Sequence, residues 1–395
     1  MSATVVSPHD AGGLATDPTV PAKTAASRLP SLTGLRWIAA LMIFCLHIQS
    51  ESNFFTPDGN AQELLNKVLA AGRSGVSFFF ILSGFVLAWS VRPKDTSKAF
   101  WWRRFSKIYP NHIVTLLIAT AMLAWLGRDF DRRALVHHLL LTQSWVPDDA
   151  NVWYGFNAVS WSLSCEFFFY LCFPLLYAGL RRLRPIAWWT VGVVCTIGVI
   201  VTPLLAKPLS RRTGWSEHYI AYHLPPVRLV EFVLGMALAL LVKNGHWRGP
   251  GLPTGFALTA LGMWVASRLP EQYGLMRDAA CTAVGYVVIL TAAARSDVRG
   301  KNSIWGRPAL VRLGEISFAF YLVHEIAIYS MRHVFGDDHP QRPWVAASVL
   351  TAATFCLALV AAFLVHDHVE RPLMRFLAGR RRVGGGGRAR GAARE

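Results

Sequence analysis

Charged residues are scarce in this sequence. They make up 16% of 395 residues, where a soluble chain carries about 25%. Hydrophobic residues make up 53%, and they fall in long runs separated by short polar stretches. That pattern excludes an ordinary soluble domain and predicts an all-α, polytopic membrane helix bundle. Cysteines in exposed loops are also missing. Cys45, Cys165, Cys172, Cys195, Cys281 and Cys356 all sit in apolar runs. None has metal-ligand spacing, so no metal is expected, and a disulfide framework is excluded; they read as small buried apolar residues. No cleavable signal peptide precedes the first apolar run, and no loop is long enough for a soluble domain. Any chemistry belongs within the bundle or at its faces.

The net charge of +17 does not point to nucleic acid. Much of the excess lies in a few loops and in the C-terminal tail, where a topology signal explains it better. About ten transmembrane helices are predicted, at 34–50, 73–90, 109–127, 158–179, 186–205, 223–242, 253–268, 276–294, 311–333 and 343–365, from a need for about 20 apolar residues per crossing. Placing the N-terminus in the cytoplasm puts Arg92, Lys94, Lys98, Arg103, Arg104 and Lys107 inside, with Arg181, Arg182, Arg184, Arg295, Arg299, Lys301 and Arg307. The outer loops mix signs, and only 206–222 leans basic. Both termini are therefore expected in the cytoplasm. Residues 1–30 read as a disordered tail, 31–372 as the transmembrane domain, and 373–395 as a basic Gly/Arg-rich tail.

Ionisable residues inside apolar spans are costly and mark function. Arg36 enters the first span near the inner surface. His47 follows eleven residues later, about 16 Å along the axis and on the same face. Rise along each helix places Glu166, Arg228, Glu231 and His324 near the depth of His47, so these five are expected in one layer. A histidine with a carboxylate can activate a hydroxyl. A second cluster, Arg36, Arg103, Arg104, Lys107 and Arg312, sits at the cytoplasmic face. It suits a phosphorylated donor by charge-assisted hydrogen bonds, or anchors topology beside anionic lipid. Ser83, beside Gly84, lacks the Gly-x-Ser-x-Gly context of a nucleophile; it reads as a packing or substrate-bonding residue.

Several of these residues stand in a familiar order. Leu32-Thr33-Gly34-Leu35-Arg36 followed by His47, Phe79-Phe80-Ile81-Leu82-Ser83-Gly84-Phe85, and the segment Arg103 to Pro110 each match a signature. So do Trp161-Ser162-Leu163 with Glu166, Tyr321-Leu322-x-His324, and Glu370-Arg371-Pro372. Across about residues 31–372 the chain resembles the acyltransferase 3 family of bacterial integral membrane O-acyltransferases. Lys107 stands where the family often has arginine, and the pair Asn111-His112 is unusual.

The resemblance implies a multi-pass enzyme of the bacterial inner membrane with no permanently bound cofactor. It would move an acyl group from acyl-CoA to an alcohol. Length favours the members that acylate macrolide antibiotics, whose acceptor is a small amphiphile; a cell-surface or lipid-linked polysaccharide is the alternative acceptor. On this reading Arg36, Arg103, Arg104, Lys107 and Tyr109 bind the donor. His47 is the general base, Glu166 orients or charges it or positions the acceptor, Arg228 or another donor stabilises the developing oxyanion, and Ser83, Arg228, Glu231 and His324 face the substrates. A transporter would also bury charges, but no internal repeat is visible.

Overall fold

The computed structural model describes residues 29–55, 69, 71–92, 95–277, 279–335 and 343–376, and every regular element in it is helical. In chain order these are α1 (Pro30–Glu51), α2 (Ser74–Trp89), α3 (Ser97–Trp125), α4 (Arg132–Leu140), α5 (Ala150–Tyr154) and α6 (Trp161–Leu180). They continue with α7 (Pro185–Thr213), α8 (Pro225–Lys243), α9 (Leu252–Arg268), α10 (Ala283–Val298), α11 (Pro308–Phe335) and α12 (Trp344–Val365). A helix stands at each of the ten apolar segments. Among the described residues, six stretches are long and apolar enough to cross a membrane: Pro30–Glu51, Ser97–Trp125, Ala158–Leu180, Pro185–Thr213, Tyr219–Lys243 and Trp344–Phe376. The protein is an all-α polytopic membrane bundle. Residues 1–28 and 377–395, most of the two expected tails, lie outside the described residues; Leu373 to Phe376 are helical.

Three departures from the sequence expectation shape the site. First, α3 begins at Ser97, capped by the Thr96 hydroxyl, which accepts from the Ala99 amide at 3.2 Å. The basic stretch from Arg103 to Lys107 is therefore helical rather than loop, and Arg104 and Lys107, three apart, share a face. Second, α7 runs to Gly214, where φ is +76°. The Lys207, Arg211 and Arg212 that made the 206–222 loop look basic belong to this helix, and Arg211 and Arg212 lie in its last turn, where cations meet the negative dipole end.

Third, the segment 128–157, expected as an outer loop, folds back into the bundle. Asp131 caps α4, accepting from the Arg133 amide at 2.7 Å, and the helix ends on Leu141 in the left-handed region with φ +54°. The returning chain is held by buried polar contacts. The Ser144 hydroxyl donates to the Trp161 carbonyl at 2.7 Å, and the Gln143 amide donates to the Ser160 carbonyl at 2.8 Å. His138 bonds the Val152 carbonyl through Nε2 at 2.9 Å and meets the Ser160 hydroxyl through Nδ1 at 3.1 Å. These partners make it the neutral Nε2–H tautomer. Burial pushes its pKa down to about 4, reinforced by His112 and His137. Irregular backbone is tolerated at such a place only where protein satisfies it. The pair Asn111-His112 finds its reason here: His112 bonds the His138 carbonyl at 2.7 Å, while the Asn111 amide donates to Glu370 at 2.9 Å.

Two glycines bring α2 and α8 into backbone contact. A Cβ on Gly84 of α2 would fall on the Phe232 carbonyl oxygen, and one on Gly235 of α8 would fall on that of Ile81. Close approach of this kind is how small residues build membrane bundles. It accounts for Gly84 and makes α2 and α8 one wall. Phe169 of α6 packs on this wall, edge-to-face with Phe80 and tilted against Phe232, with centroids 5.0 and 5.2 Å apart. A second apolar cluster joins α1, α11 and α12 around Trp37, Phe44 and Phe320.

Candidate active site

A cavity opens among α1, α2, α3, α6 and α11, with about 830 Å³ of empty space counting its open mouth. One part of it is cationic. Arg36 from α1 and Arg104 and Lys107 from α3 line it, with Glu166 and Tyr170 from α6 and Ser83 from α2. The Tyr170 hydroxyl donates to Glu166 at 3.2 Å and lies 3.5 Å from the Ser83 hydroxyl. Among the described residues, Arg36, Arg104 and Lys107 make no hydrogen bond or ion pair. Three cations thus face one lining carboxylate, and an anion entering here would find donors already desolvated on their protein side.

Farther along the same cavity, the lining passes to hydroxyls. Ser162 and Tyr321 lie 2.8 Å apart, oxygen to oxygen. One turn beyond Tyr321 on α11, the histidines meet. His324 Nδ1 is 2.7 Å from the Tyr321 carbonyl, and His324 Nε2 is 2.9 Å from His47 Nδ1. The two rings are parallel within 5°. A carbonyl can only accept, so His324 carries its proton on Nδ1 and presents a bare Nε2. His47 then donates from its own Nδ1, which leaves the His47 Nε2 lone pair unspent. That nitrogen is where a base would act.

The five residues expected in one layer fall into three groups. His47 and His324 form the pair just described. Glu166 keeps company with Tyr170 and Ser83, and with the charges of Arg36 and Lys107; among the described residues it makes no bond to His47. Arg228 and Glu231 hold each other at 3.1 Å, both almost wholly buried, and Arg228 also donates to Ser77 at 3.1 Å. The depth argument took α6 to start at the outer surface. Residues 143 and 144 bond to residues 160 and 161 instead, so α6 starts within the bundle and carries Glu166 toward the cations.

The basic cluster divides in the same way. Arg103 turns to Asp95 at 2.7 Å. Arg312 is held by both oxygens of Asp367 at 3.0 Å. Tyr109 donates to the Leu139 carbonyl at 2.9 Å and lines an apolar groove on the far side of α3. Tyr170, Ser162 and Tyr321 were not singled out as site residues from sequence. The last two stood inside the Trp-Ser-Leu and Tyr-Leu-x-His signatures, which was the available signal. Glu370, from the closing signature, braces α3 through Asn111 and accepts from His366 at 3.2 Å.

The family model described as an acyltransferase domain matches residues 29–363. The acyltransferase MdmB of Streptomyces mycarofaciens is 44% identical over 374 residues, covering 90% of this chain and 94% of its own. A putative O-acetyltransferase of Staphylococcus aureus is 24% identical over 78% of this chain and 52% of its own. A putative acetyltransferase of Acidianus two-tailed virus is 23% identical over 54% and 58% respectively. No solved structure matches. The order of signatures along the chain and these likenesses agree: the chain belongs to the acyltransferase 3 family and is an acyl-CoA-dependent O-acyltransferase, a multi-pass protein of the bacterial inner membrane.

Proposed function

We propose that this enzyme acylates a hydroxyl of a small amphiphilic acceptor, a sugar or a macrolide-type antibiotic, by direct attack on the donor with His47 as general base. One observation carries the reading. A single cavity runs from three cations without ion-pair partners to a pair of hydroxyls, and a histidine pair with one bare nitrogen stands a helical turn beyond. The near-complete two-way overlap with an acyltransferase of similar length supports a compact acceptor.

In this mechanism the donor's phosphates bind Arg36, Arg104 and Lys107, and the pantetheine arm extends along α1 toward His47. His47 Nε2 takes the acceptor's hydroxyl proton. The acceptor oxygen bonds to the thioester carbon, the tetrahedral oxyanion collapses, and coenzyme A leaves as a thiolate that recovers the proton from His47. No acyl-enzyme forms. His324 sets the His47 tautomer, the part assigned to Glu166 from sequence. Glu166 positions Tyr170 and balances the cations. Ten crossings with both termini in the cytoplasm would place the cationic end where acyl-CoA is found.

His47→Ala should lower turnover per folded molecule about 10²- to 10⁴-fold, with donor affinity and size-exclusion behaviour unchanged. Retention of more than about half the turnover would rule out His47 as the base. The topology is checked by a reporter fused after residue 395; signal from the extracytoplasmic side would reverse the donor site.

A further inference from the structure

Ser162, Tyr321 and the Val159 carbonyl form a closed triangle. The Tyr321 hydroxyl reaches that carbonyl at 3.0 Å, the Ser162 hydroxyl reaches it at 2.9 Å, and the two hydroxyl oxygens are 2.8 Å apart. Only two protons serve these three contacts. If both went to the carbonyl, two bare oxygens would face each other at hydrogen-bond distance. One hydroxyl therefore donates to the carbonyl, and the other spends its proton on the first hydroxyl. That second proton is in a neutral hydroxyl–hydroxyl bond, the kind most readily exchanged for a charge-assisted bond of about twice the strength. Both residues line the cavity, one helical turn from His324, whose Nδ1 bonds the Tyr321 backbone carbonyl.

Resting on the proposed donor site, we infer that the Tyr321–Ser162 hydroxyl pair donates to the carbonyl oxygen of the acyl thioester and holds the oxyanion that forms there. As the acceptor oxygen bonds to the carbonyl carbon, the carbonyl π electrons move to oxygen. The shared proton turns from the neighbouring hydroxyl to that oxyanion, and it returns when the thiolate leaves. The other hydroxyl keeps its bond to Val159. The junction does not depend on the moving proton. Asn157 donates to the Leu322 carbonyl at 2.8 Å, and the Val159 amide donates to Glu325 at 3.0 Å. These bonds hold residues 157–162 against α11 while the hydroxyls change partner. Arg228, the donor that sequence suggested for this task, is committed to Glu231 and Ser77.

The test uses Tyr321→Phe and Ser162→Ala, with Ser162→Thr as the variant that keeps a hydroxyl. Removing one oxyanion donor should lower kcat about 10²- to 10³-fold, with the donor KM moved far less, and Ser162→Thr should stay within a few-fold of wild type. Two unreactive analogues of acyl-CoA separate carbonyl binding from packing. In one, a methylene replaces the sulfur and the carbonyl remains; in the other, a methylene replaces the carbonyl. Wild type should prefer the ketone, and Tyr321→Phe should erase about twofold to tenfold of that preference. A purely structural clamp would weaken both analogues equally and lower the melting temperature. An unchanged preference in both variants with kcat above half of wild type overturns the inference. Failure of wild type to bind either analogue removes the donor site itself, and the inference with it. Should Tyr321→Phe not fold, Ser162→Ala decides alone, since Tyr321 still bonds Val159.

Discussion

Two sets of buried charges sit in this bundle, and they are built differently. Arg228 and Glu231 form an ion pair, Ser77 accepts from Arg228, and the faces of Phe80 and Tyr222 lie 5.1 and 5.5 Å from the guanidinium. Arg36, Arg104 and Lys107 are half-buried around an open cavity and, among the described residues, make no ion pair or hydrogen bond; Arg104 lies over the Phe100 ring at 5.8 Å. Charge within a membrane segment does not by itself mark a site. What separates the two sets is a partner of opposite charge: Arg228 and Glu231 hold each other, whereas the three cations, among the described residues, make no ion pair and face a space that a ligand can enter.

The comparison breaks most sharply at Arg228. Removing one member of a buried pair strands the other, at a cost of about 3–5 kcal/mol, whereas replacing both with apolar residues of similar volume is close to neutral. Arg228→Met should therefore melt far below wild type in detergent. Arg228→Met combined with Glu231→Leu should recover most of the loss and keep turnover per folded molecule. If the double variant folds but is inactive, Arg228 and Glu231 belong with the functional set.

His138 tests a third condition, a buried polar group that is satisfied and neutral. Its folded pKa of about 4 lies below the unfolded value near 6.5. The unfolded chain thus binds the proton first, and stability falls as pH drops from about 6.5 to about 4, by about 3 kcal/mol in all. Melting curves at pH 7 and pH 5 should differ more for wild type than for His138→Gln. Equal pH dependence in the two proteins would mean that the fold-back segment does not hold this histidine neutral.

Arg36 gives the smallest effect and the most pointed one. Loss of a charge-assisted contact is worth about 1.5–3 kcal/mol, so Arg36→Ala should raise the donor KM about 10- to 100-fold and leave the acceptor KM and the melting temperature near wild type. Steady-state kinetics with both substrates varied reads this directly. An Arg36→Ala protein with unchanged donor dependence would move Arg36 from the functional set to the structural one.

The helices were legible because apolar runs and their interruptions are local facts. So was the Arg228–Glu231 pair, whose spacing of three guarantees a shared face. The fold-back of 128–157 was not. Asp129, Asp131, Arg132, Arg133, Asp148 and Asp149 make it read as an outer loop, and its anchors are largely backbone groups on other elements, which leave no pattern in sequence. That one omission displaced Glu166 in the depth argument; the His47–His324 contact was hidden for a separate reason. Residues 277 apart along the chain meet only because α1 packs on α11. The start of α3 was missed for a simpler reason: a polar, aromatic first turn looks like loop until its Thr96 cap is weighed.

The fold-back segment also constrains how the protein is made. Residues 138–144 emerge from the ribosome before their partners Val152, Ser160 and Trp161. Asn157 and Val159, at the start of the next span, wait longer still for Leu322 and Glu325 on α11. Until those helices arrive, the polar backbone here has no protein to bond and must stay with water. The site-bearing junction therefore closes only after more than a hundred and sixty further residues have been synthesised.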